Sequence, residues 1–130
     1  MLDTDVASCA IKGNAPEIDA RLRMLDVSQV CVSAVTRAEL RFQVRRLAGA
    51  TRLAASVERF LSGIDTLPWD EDAADRFAEV RALLEKGRIP IGILDTMIAA
   101  HALSAGAVLV TNNSRHFRRV KDLAVENWPR

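Results

Sequence analysis

Apolar residues recur along this chain in two rhythms, and each rhythm predicts a different element. Spacings of three and four mark amphipathic helices, while short continuous apolar runs mark buried strands. Ile18, Leu22 and Leu25 predict a helix over 16–25, and Leu40, Val44 and Leu47 one over 36–48 that stops at Gly49. Leu53, Val57, Phe60 and Leu61 predict a third over 53–61 before Gly63. Ala73, Phe77, Val80 and Leu84 form the buried face of a fourth. Its start is loaded with Asp70, Glu71 and Asp72, the charge a helix dipole favours there, and Gly87 closes it. Shorter helices are expected over 6–12, closed by Gly13, and over 96–104, before Gly106. β-rich runs predict strands over 29–33, 64–67, 107–111 and, more weakly, 124–128. A short first strand over 1–4 is expected to turn at Asp5. Strands separated by helices require a parallel sheet covered on both faces. The fold class is therefore a three-layer α/β/α sandwich around a small parallel sheet.

The 130 residues make one domain, which can bury roughly two-thirds of its unfolded surface. The 49% hydrophobic content supports a real core. No uncharged apolar run approaches the ~20 residues of a membrane span. Asp3 and Asp5 stand where a secretory signal would be basic and then apolar, which predicts a soluble, cytoplasmic protein. Net charge is only +1, so no global positive field advertises a nucleic acid. Arginines are nevertheless crowded, at Arg37, Arg41, Arg45, Arg46 and Arg52 and again at Arg115, Arg118 and Arg119. Guanidinium forks suit phosphates, although a compositional bias of the genome produces the same excess. Cys9 and Cys31 have neither disulfide nor metal-knuckle spacing and read as small buried residues. Trp69 and Trp128, with no tyrosine in the chain, read as packing residues.

Four separate segments place a carboxylate or amide where an apolar run gives way to a turn or helix. They carry Asp3 with Asp5, Glu39, Asp95 and Asn113. Hard oxygen donors are what a divalent cation such as magnesium requires, and the carboxyl ends of parallel strands are where α/β sites assemble. Each position has a duller explanation. Asp5 is a good N-cap for the helix that follows, whereas Asp3 is expected to have no helix to cap. Thr36-Arg37-Ala38-Glu39 reads as a capping box, and Asp95 as the N-cap of the helix over 96–104. Asn113 sits in ordinary turn chemistry. The recurrence of oxygen donors at matching depth argues for one acidic pocket in which Asp3, Glu39 and Asp95 converge on a shared cation. His101 and His116 form no zinc-hydrolase motif and read as structural or solvated. No phosphate-cradling glycine loop or nucleophile elbow is present.

Together these segments resemble the VapC family, the PIN-domain ribonuclease toxins of bacterial type II toxin–antitoxin systems. The resemblance rests on the segments 1–5, 36–40, 94–103 and 109–120, running on to Val125-Glu126-Asn127-Trp128. It implies a PIN fold, magnesium- or manganese-dependent cleavage of RNA, with tRNA as the substrate by family analogy, and a cognate VapB-type antitoxin that blocks the site. It carries Asp3, Glu39 and Asp95 onto the family's acidic triad as the metal ligands. Asn113 stands where many PIN domains have a fourth aspartate; this costs the site one negative charge, which Asp5 adds back nearby. Two other classes compete. An aspartate-dependent phosphohydrolase would need a suitably placed lysine, and Lys86 and Lys121 are poorly placed. A non-catalytic partner-binding module would use the acids only as caps. Apolar residues beyond one domain's needs, among them Val6, Ile11 and Phe42, are expected to form a homodimer seam or antitoxin groove.

Overall fold

Residues 1–3 run through the middle of the sheet, and the fold is best followed outward from them. The computed structural model describes residues 1–130. Seven helices are α1 (Thr4–Lys12), α2 (Pro16–Arg23), α3 (Ala34–Arg46), α4 (Thr51–Ser62), α5 (Glu71–Gly87), α6 (Ile93–Ser104) and α7 (Ser114–Phe117). Four strands are β1 (Cys31–Ser33), β2 (Asp65–Leu67), β3 (Leu109–Thr111) and β4 (Val125–Asn127). β1 pairs in parallel with β2, and β3 with β4. Leu2 joins the two pairs through parallel bridges to Val32 and Val110. The Leu2 amide donates to Cys31 O and the Asp3 amide to Val110 O, each at 2.9 Å, while the Val110 amide donates to Met1 O at 2.8 Å.

Alternation of side chains across this sheet feeds two apolar cores. One gathers Leu2, Val32 and Val110 with Val6, Ile18, Leu40 and Val57 from the first four helices. The other gathers Met1 and Leu109 with Val80, Leu84, Ile98 and Phe117 from the later helices. The expected three-layer arrangement around a parallel sheet is what forms. Ala73, Val80 and Leu84 are buried as their spacing requires. No helix is long and apolar enough to cross a membrane.

Departures from the expected boundaries have local causes. The first strand shrinks to a one-residue bridge because α1 begins already at Thr4. α3 begins two residues before Thr36, because the Ser33 hydroxyl caps it by accepting from the Val35 amide at 3.0 Å. Helices α2 and α3 end early, leaving Leu25 and Leu47 as exposed residues outside their stripes. Gly87 is the last residue of α5, and Arg88 takes the left-handed closing position at φ 56°. α7, four residues long, is too short to show a period in the sequence. Cys9 is buried, but Cys31 only partly so. Val6 is fully buried and supplies no spare surface, whereas Phe42 is 62% exposed.

Both tryptophans pack, Trp128 fully buried and Trp69 edge-on to Phe77 and His101 at 6.1 and 5.6 Å. His101 is a buried structural residue, its Nδ1 2.7 Å from Ser33 Oγ. Burial lowers its pKa, which favours the neutral ring.

Leu2 is 1% exposed and ties the two strand pairs together. Leu2→Ala is expected to cost roughly 2–5 kcal/mol, read as a lower urea midpoint; a loss below 1 kcal/mol would contradict the central role of this residue.

Candidate functional site

Each strand of the sheet's interior delivers a polar residue at its carboxyl end. Leu2 leads to Asp3, β1 to the start of α3 and so to Glu39, and β3 to Asn113. Asp95 comes from the first turn of α6. These four, with Asp5, line one cleft of about 170 Å³, which Thr4, Gln43 and Phe117 complete. All five residues picked out from the sequence therefore meet in one place. A larger and mostly apolar cavity of about 440 Å³ lies around Met24, Val30, Val108 and Trp128, near the opposite ends of the strands, and contains none of these acids.

The capping roles are not those expected. Asp3, thought free of any helix, is the N-cap of α1, its Oδ1 accepting from the Val6 amide at 2.8 Å. Asp5 lies inside the first turn instead and is exposed. The Thr36–Glu39 capping box does not form, because Ser33 already caps α3. Glu39 Oε1 instead accepts from Thr4 Oγ1 at 2.6 Å, and Thr4 Oγ1 also lies 3.1 Å from Thr36 Oγ1. Asp95 is not a cap either. Gly92, at φ 91°, holds that position, which lets α6 start at Ile93 and moves Asp95 one turn inward. Asn113 precedes α7 without a capping hydrogen bond from its side chain, and its amide donates to Thr111 Oγ1 at 2.9 Å.

The charge in the cleft is only partly compensated. The cleft lining includes no lysine or arginine, so neither Lys86 nor Lys121 serves it as a phosphohydrolase lysine would. Asp3, only 3% exposed, has its pKa pushed up to about 6, chiefly by loss of water and further by Asp5 and Asp95. The Thr111 hydroxyl and the Val6 amide oppose the rise. Burial likewise raises Glu39, against the Thr4 hydrogen bond, and Asp95 and Asp5 add to it. Burial also raises Asp95, partly offset by His116. Nowhere in the chain do three acidic, histidine or cysteine side chains form a closed metal cage. The acids expected to converge do line one open cleft. That donor set fits magnesium, which keeps several waters and is held through one or two carboxylates plus substrate phosphates.

Sequence reasoning missed three residues here. Thr4 carries no motif beyond its place beside Asp3. Gln43 was findable, since it stands one helical turn beyond Glu39. His116, whose Nε2 lies 3.1 Å from Asp95 Oδ2, is 21 residues away in sequence with no local signal.

Residues 1–123 match the PIN domain family. The chain is 38% identical over 128 residues to the tRNA(fMet)-specific endonuclease VapC of Shigella flexneri, covering 98% of this chain and 96% of the relative. It is 39% identical, with the same coverage, to the ribonuclease VapC of Haemophilus influenzae. This chain belongs to the VapC family of PIN-domain ribonucleases. The fold agrees with that assignment. The crystal structure of DNA-bound VapBC from Salmonella typhimurium superposes with a TM-score of 0.92 at 37% identity, covering 98% of this chain and 96% of the other. VapBC2 from Rickettsia felis, bound to a promoter DNA fragment, also gives 0.92, at 29% identity over 98% and 97%. The PIN fold implied by the family resemblance is therefore the fold observed.

The raised pKa of Asp3 predicts the sign of a stability change. A carboxyl that binds its proton more tightly when folded makes the protein lose stability as pH rises from about 4 to about 6. Above that range the ionised Asp3 costs up to about 3 kcal/mol. Asp3→Asn keeps the acceptor for the Val6 amide and removes the charge. In chelator-containing buffer the variant is expected to be more stable than the parent at pH 7.5, by 1–3 kcal/mol on this scale, and equal to it near pH 4. Urea titrations at the two pH values check this; a less stable variant at pH 7.5 would contradict it.

Proposed function

We propose that this chain is a magnesium-dependent endoribonuclease, the toxin of a toxin–antitoxin pair, and that tRNA is its substrate. The observation that carries the reading is the cleft itself, in which Asp3, Glu39, Asp95 and Asn113 from four distant segments meet with no protein cation among them. Asp3 and Asp95 are the direct ligands in this reading, and Glu39 acts directly or through water. Magnesium, with manganese as a substitute, supplies charge neutralisation at the scissile phosphate and makes water more acidic.

The chain's own residues do the rest. Asp3 is held by the α1 amide end and Glu39 by Thr4, so both carboxylates are oriented before anything binds. The Asn113 amide, exposed at the rim, orients water or a phosphate oxygen by hydrogen bonding. Arg115 and Arg118 follow it on the exposed side and hold flanking phosphates. Of the other arginine segment, Arg37 donates to Thr66 at 3.4 Å and Arg41 pairs with Glu58, so these two already have partners.

The tRNA substrate rests on the activity named for the Shigella flexneri relative. The antitoxin rests on the VapBC complexes among the structural relatives. Exposed Phe42 and Leu47 on and beside α3 offer apolar surface for such a partner.

Asp95→Asn is expected to lower cleavage of a labelled tRNA in magnesium buffer by at least about a hundredfold, since losing a metal contact forfeits several kcal/mol of charge stabilisation. Its thermal melt should stay as high as the parent's. Full cleavage by the variant would refute the assignment. Adding Mg2+ or Mn2+ to the parent should raise its melting temperature by mass action, by about 2.7 kcal/mol of stability at a hundredfold excess over Kd; no shift would favour the non-catalytic module, and turnover of p-nitrophenyl phosphate but not RNA the phosphohydrolase.

A further inference from the structure

One imidazole touches the acidic cleft without lining it. His116 sits on α7, partly buried, with its ring edge-on to Phe117 at 5.3 Å. Its Nε2 is 2.9 Å from the backbone oxygen of Ile91 and 3.1 Å from Asp95 Oδ2. A carbonyl oxygen only accepts, so Nε2 must carry the hydrogen, and that single N–H is shared between the loop and the carboxylate. The next turn repeats the attachment, since Arg119 Nη1 donates to Pro90 O at 3.2 Å. Segment 90–92 leads straight into α6, whose N-cap Gly92 offers no side chain to brace it. The first turn of α6, and Asp95 with it, is therefore held from outside by α7.

We propose that His116 is a positioning residue for Asp95: it engages Oδ2 and the backbone that carries the residue, leaving Oδ1 as the oxygen presented to a cation. The inference rests on the metal-dependent reading above and adds to it a residue that touches neither cation nor RNA. Carboxylates that hold metals lose affinity when the group orienting them is removed, typically 10–100-fold. A neutral donor suffices for the task, because the role is to fix geometry rather than to supply charge. Gln should therefore replace His116, its amide N–H taking the place of Nε2–H, while Ala should not.

The test is Mn2+ binding to the full chain, followed by electron paramagnetic resonance, with tRNA cleavage and thermal melting measured alongside. The parent, Asp95→Asn, His116→Ala and His116→Gln are compared. The expected result is Mn2+ affinity 10–100-fold weaker in His116→Ala, with kcat lowered more than KM is raised and with a retained cooperative melt. His116→Gln should recover most of both losses. Parent-like Mn2+ affinity and cleavage in His116→Ala would overturn the proposal while leaving the metal reading intact. So would a failure of Gln to rescue a folded protein, or a lost melt in both variants, which would make His116 a purely architectural residue. Absence of Mn2+ binding by the parent, or equal binding by Asp95→Asn, would instead bring down the metal reading and this inference with it.

Discussion

Three backbone hydrogen bonds at the amino end hold the arrangement together. Leu2 and Asp3 donate to Cys31 and Val110, and Val110 donates back to Met1, so the first three residues are clamped on both sides. Without that clamp β1–β2 and β3–β4 would be two separate ribbons, each too small to be stable on its own. With it they become one sheet having an apolar core on each face. The clamp also sets where Asp3 falls, at the point where the extended chain ends, and this places the most buried acid of the molecule at the mouth of its cleft.

From that fixed point the other acids follow by the geometry of their own elements. Glu39 is one turn and a half into α3, and α3 is phased by the Ser33 cap at the end of β1. Asp95 is phased by the start of α6 at Ile93, which depends on the left-handed backbone of Gly92. The result is a group of carboxylates that lose water on folding and gain no lysine or arginine in exchange. Such a cleft is chemically suited to the divalent cation proposed above.

Much of this was legible in the sequence because the apolar periods of α4 and α5 and the run ending at Thr111 are strong, local signals. The family resemblance was legible because its acidic segments keep their order. What was not legible was phase. Whether Asp3, Asp5 or Thr36 caps a helix depends on where the preceding extended segment releases the chain, which pairing among Leu2, Val32 and Val110 decides, while Asp95 is phased by the positive-φ Gly92 before α6. The sequence offers several plausible caps within two residues of each other, and tertiary pairing selects among them. His116 was invisible for a related reason, since its acceptors lie on the loop before α6 and only folding brings them near. That Asp3, Glu39, Asp95 and Asn113 share a cleft was legible from their recurrence at the ends of apolar runs, whereas the hydrogen bonds that orient them were not.

Asp3 serves two masters, as the terminus of α1 and as a buried charge. Asparagine satisfies the first and relieves the second, and one nucleotide separates the two codons. In the metal-holding role proposed for Asp3, that single step would remove the charge a cation needs while leaving the helix terminus capped.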